Sequence, residues 1–132
     1  PGGAAARRFA ALRSGGAAVR AAVAAEVPAA LRQTPTFDGY LRRRLNWLTR
    51  HPLAPELAGL PADAPVPDRS VLAAVRAPAL VIGCAGDELH PAAVARRLAE
   101  SLGNATLHVY DEPGVVWTAR ADLRKRVGGF LA

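Results

Sequence analysis

The sequence contains no methionine, a single cysteine and a single lysine, and only 5% of it is aromatic. One cysteine, Cys84, excludes an intrachain disulfide and any cysteine-based metal site. Thinly spread aromatics supply no platform on which nucleic-acid bases would stack. No apolar run approaches the ~20 residues needed to cross a bilayer, and Arg7, Arg8, Arg13 and Arg20 interrupt the alanine-rich start too often for a secretory signal. A soluble, cytoplasmic protein is expected. With Pro1 first and methionine absent, the sequence is expected to be a segment of a longer open reading frame.

What is present is alanine and arginine. The net charge of +6 would suit a polyanion partner, but Lys125 stands alone beside sixteen arginines, a pairing that GC-rich codon usage produces without such a partner. The one tight basic run, Arg42-Arg43-Arg44, lies in an amphipathic helical segment and reads as a solvated helix face. No nucleic acid and no membrane are therefore expected as partners.

At 51% hydrophobic, the 132 residues can bury a real core. Prolines at 61, 65 and 67 mark a break between two differently patterned parts. Before it, residues 4–13 and 17–31 read as helices parted by Ser14-Gly15-Gly16, with Pro28 kinking or restarting the second. Residues 38–50 form a third, on which Leu41, Leu45 and Leu48 share one face, with Trp47 flanking it and His51-Pro52 as its stop. Leu53, Leu57 and Leu60 suggest one more short turn.

After the break the elements alternate. Asp68 or Ser70 caps a short helix to Val75, and a strand follows over residues 79–83. Pro91 opens a helix to about Leu102 with Val94, Leu98 and Leu102 on one stripe. A second strand spans residues 105–110, and a last helix turns Leu123, Val127, Phe130 and Leu131 inward. Two parallel strands joined by a helix make one crossover, though two alone make a poor sheet.

The richest stretch runs from Ala77 to Pro91. Leu80-Val81-Ile82 suits a strand buried on both faces, and Gly83 and Gly86 permit a tight turn at its carboxyl end. Open α/β sheets carry their chemistry at that edge, where Asp87 lies. Two readings of Asp87 stand open: a catalytic carboxylate, or a turn residue that leads into the next helix.

Residues 75–83 with Asp87-Glu88-Leu89-His90-Pro91 resemble the penultimate strand and acid loop of α/β-hydrolase-fold enzymes. Residues 104–110 are similar to the last strand of that family, and Val127-Gly128-Gly129-Phe130-Leu131 to the end of its final helix. The resemblance implies an α/β fold: the carboxyl-terminal βαβα part of a hydrolase sheet over residues 70–132, preceded by lid-like helices over residues 1–69. It implies a Ser-His-Asp hydrolase acting on an ester, amide or similar bond of a small acyl substrate, without a cofactor, in which Asp87 is the acid that orients the histidine.

The other triad members are harder to place. No G-x-S-x-G occurs; Ser14, Ser70 and Ser101 lie in other contexts, and the family's elbow would precede the lid. The loop of residues 111–120, where the family keeps its histidine, has none. His108, within the second strand, and His90, three residues after Asp87, are substitutes that also read as packing and helix-start residues; His51 reads as surface. Glu88 is the rival carboxylate and is expected to face solvent. Cys84 reads as a small buried residue more readily than as a nucleophile. Val116 and Trp117 would line a pocket mouth or simply pack. A non-catalytic hydrolase-like binding protein is the alternative.

Overall fold

The computed structural model describes residues 3–52, 66 and 68–132, and the chain divides into two compact units, Pro1–Asp63 and Ala64–Ala132. The expected helical turn over residues 53–60 lies outside the described residues, as does nearly all of the proline-rich break.

The first unit is helical: α1 Gly3–Arg13, α2 Gly16–Ala24, a 3-10 turn Ala29–Leu31 and α3 Pro35–Arg50. Gly15 and Gly16 separate α1 from α2 at φ +76° and +56°, a backbone region that side chains disfavour. The second helix does not run to Leu31 as expected but ends at Ala24. Pro28, expected to kink or restart the helix, disfavours a helical conformation of the residue before it and starts the separate 3-10 turn from an extended conformation of its own. Conversely, α3 begins at Pro35, ahead of the expected Asp38. Thr34 Oγ1 accepts the Phe37 N–H at 3.2 Å, and proline at the first helical position lacks only a donor that would have gone unused.

Val23 and Val27 are wholly buried, joined in the core by Ala22, Phe37, Leu41 and Leu48, while Trp47 remains 47% exposed. Around this core a single carboxylate gathers three donors. Glu26 pairs with Arg8 at 2.9 Å and with Arg44 at 3.5 Å, and it accepts the Tyr40 hydroxyl. Glu26 thus links α1 and α3 to the turn that follows α2. Burial, together with the hydrogen bond and charge of Glu26, pushes the Tyr40 phenol up to about 12.

The second unit is mixed α/β. Asp68 caps a 3-10 turn Arg69–Ala74, and β1 Ala79–Cys84, α4 Ala92–Ser101, β2 Ala105–Tyr110, α5 Val115–Thr118 and α6 Arg120–Leu131 follow. The strands are parallel, in register from Ala79↔Ala105 to Cys84↔Tyr110, and among the described residues they form a two-stranded sheet. Alternation puts Val81 and Gly83 on the face that α4 covers. A Cβ built on Gly83 would sit 2.8 Å from the Ala95 Cβ, so this glycine lets helix and strand approach closely.

That approach corrects two expectations. The helix meets the sheet along its alanines, leaving Val94 48% and Leu98 39% exposed rather than inward. Pro91 is not the first helical residue; it caps α4 in an extended conformation, φ −55° and ψ 136°, and bridges back to Cys84. Of the inward stripe expected on α6 only Leu123 is half-buried: Val127, Phe130 and Leu131 are all exposed, Leu131 to 76%. The helix is held instead at its first turns, where the Tyr110 hydroxyl donates to Asp122 at 2.8 Å and Arg126 Nε reaches the same oxygen at 2.6 Å. Among the described residues no helix is long and apolar enough to cross a membrane.

Candidate functional site

The carboxyl edge of the sheet is where the chemistry-bearing residues of the second unit meet. β1 extends one residue past its end through Ala85 N–H to Tyr110 O, 2.8 Å, and then Gly86 turns the chain at φ +73°. At Gly86 a Cβ would lie 3.5 Å from Pro113 Cδ, so the loops after β1 and β2 lie side by side.

Asp87 sits in this turn with its side chain 27% exposed. Its Oδ1 accepts the N–H groups of Leu89 at 2.8 Å and His90 at 2.9 Å, while Oδ2 stands 3.4 Å from the His90 Nδ1. Burial pushes the carboxyl up, but the backbone N–H groups of His90 and Leu89 and the His90 imidazole outweigh it, so the group is held below the usual carboxylate range. Asp87 is therefore an anion at neutral pH, with one oxygen committed to its own turn and the other facing an imidazole.

His90 is 84% exposed at its side chain, which leaves the ring free to rotate away from that oxygen. Glu88 faces solvent. Cys84 is half-buried; burial and the Asp87 charge push its thiol up, against a weaker opposing hydrogen bond from the Val115 N–H. It remains a thiol at neutral pH, which suits packing rather than nucleophilic attack.

The loop after β2 reaches Gly114, left-handed at φ +82°, which starts α5 and places Val115 in the core. Val116 is 59% exposed, whereas Trp117 is half-buried. His108 pairs with Ile82 in the sheet and packs edge to face on Tyr110, ring centroids 4.5 Å apart. It belongs to a cluster with Tyr110, Asp122 and Arg126. There the Arg126 and Tyr110 hydrogen bonds hold the Asp122 carboxyl below its usual range, and burial with the Asp122 contact raises the Tyr110 phenol. The sequence offered no spacing that would have joined these four.

His51, in the helical unit, lies 5.1 Å from the Trp47 ring. The three serines are spent locally: Ser14 on Ala10 O, Ser70 on Asp68, Ser101 on Arg97 O. No group of three or more His, Cys, Asp or Glu residues able to hold a metal occurs among the described residues. No protein-family model, curated protein or solved structure matches the chain.

Proposed function

We propose that residues 70–132 are the carboxyl-terminal part of an α/β-hydrolase-like core, with Asp87 as the acid of a Ser-His-Asp mechanism acting on a small acyl substrate. The observation that carries the reading is the position and state of Asp87: an anionic carboxylate at the carboxyl edge of a parallel β-α-β crossover, with one oxygen turned toward an imidazole. A triad acid needs those properties, because it must accept the imidazole N–H and stabilise the imidazolium formed when the nucleophile is deprotonated. The reading requires that the serine and the oxyanion-stabilising N–H groups come from residues outside this sequence. Residues 1–69 would supply lid-like helices. His90 is the imidazole nearest the acid.

The test is hydrolysis of short-chain aryl esters by the complete gene product that carries this sequence. Asp87→Asn is expected to lower kcat by at least about a hundred-fold, in line with losing the group that orients and stabilises the base. His90→Gln is expected to match it if His90 is the base. Equal turnover by wild type and Asp87→Asn would sink the proposal.

One observation favours a second reading, a non-catalytic hydrolase-like protein that binds an acyl compound. The loop at residues 111–120 carries no histidine, and Asp87 already fills a turn-forming role through Leu89 and His90. Saturable binding of an acyl compound at this edge, without turnover and without covalent labelling by a fluorophosphonate, would favour it.

A further inference from the structure

The helical unit contains a cleft of about 410 Å³ that the reading above does not use. Leu12 of α1, Val19 of α2, Leu45 and Leu48 of α3, and Pro52 beyond it wall the cleft, with Arg13 and Gly16 at the end where α1 gives way to α2. This volume lies within the usual range for a small-molecule site, and its walls offer both aliphatic and polar surface.

Arg13 is the one charged side chain among the described residues that line the cleft. Arg13 is exposed and has no ion-pair partner among the described residues. The first turn of α2 has no side-chain cap, and Gly15 and Gly16 at its start line the cleft together with Arg13. The Thr49 hydroxyl adds nothing, because it donates to the Leu45 carbonyl at 3.0 Å. Space is open above the turn as well, since a Cβ at Gly15 or Gly16 would meet nothing within 4 Å.

We propose that this cleft binds a medium-chain aliphatic carboxylate. The tail lies against Leu12, Val19, Leu45 and Leu48, and the carboxylate meets Arg13 at the rim. The cleft and the unpaired cation carry the inference together: aliphatic walls alone would accept any oily molecule, and the guanidinium alone any anion. Neither Asp87 nor the sheet enters into it, so it stands or falls separately from the hydrolase reading.

Nuclear magnetic resonance titration of the chain with octanoate, decanoate and 1-octanol, each below its self-association limit, tests the proposal. Octanoate is expected to shift the Gly15, Gly16 and Val19 amides saturably, and 1-octanol to bind more weakly at the same amides. Decanoate is expected to bind about fifteen-fold more tightly than octanoate, since each buried methylene contributes about four-fold. Arg13→Gln is expected to erase the preference for octanoate over 1-octanol while leaving the chain-length dependence. Val19→Trp is expected to fill the cleft and abolish binding, with circular dichroism reporting that the helices persist. Equal binding of octanoate and 1-octanol by the wild-type chain would overturn the proposal, as would shifts that do not saturate or that fall elsewhere. Those comparisons need no variant to fold.

Discussion

Gly83 and Tyr40 each show a single residue setting a local energy. At Gly83 the absent side chain is the contribution: the Ala95 Cβ lies 2.8 Å from where a Cβ would sit, while Ala92 and Val109 are in ordinary contact with that point at 3.7 Å. Gly83→Ala is expected to push α4 from the sheet and cost about 1–3 kcal/mol, as overpacking does, measured by urea unfolding. An unchanged midpoint would mean that the helix is not seated as described. Tyr40 makes the opposite contribution, through a proton. Its phenol is raised to about 12 in the folded chain, whereas an unfolded tyrosine titrates near ~10. A raised pKa favours the protonated, folded form, so this contribution is complete below about pH 10 and is lost as pH climbs toward 12. Tyr40→Phe is expected to flatten the alkaline fall in stability over that window; identical profiles for the two proteins would contradict it. The sequence read Gly83 as a turn residue, whereas it lies inside β1, and it did not single out Tyr40, because the partners that matter, Ala95 for one and Glu26 for the other, are set by packing between elements.

At the scale of elements, the boundaries follow capping chemistry more closely than apolar spacing. Thr34-Pro35 starts α3 because a side-chain oxygen meets an amide that the helix leaves unpaired. Thr34→Ala is expected to cost about 1 kcal/mol by the same unfolding measurement, with the loss of helicity confined to the first turn of α3. The sequence made the strand-helix-strand order legible, because Leu80-Val81-Ile82, Pro91 and the alternation through Tyr110 are local signals. It did not reveal which stripe of α4 meets the sheet. The apolar residues of that helix span both Val94-Leu98 and its alanines, and only the close approach at Gly83 selects the alanine side. Asp87 was legible as a residue of the strand-end turn. Its double hydrogen bond to Leu89 and His90 was not, since that depends on how Gly86 bends the backbone.

At the scale of the molecule, charge and burial are distributed unequally between the two units. Up to Asp63 there are nine arginines and four acidic residues; after it the basic and acidic residues nearly balance. Among the described residues, the helical unit also holds most of the large buried apolar side chains, with Val81 and Val115 those of the second unit. Exposed valines and leucines accumulate in that second unit, on α4 and α6. Its cohesion therefore rests heavily on the backbone ladder between two strands, and that ladder has a signature in time. Ala79 and Ala85 point their N–H groups at β2, and in a parallel pair the same direction recurs at every second residue, hence at Val81 and Gly83. Leu80 and Ile82 point theirs the other way. Deuterium in the solvent is thus expected to replace the Leu80 and Ile82 amide protons well before those of Val81 and Gly83, so that a single strand exchanges at two alternating rates.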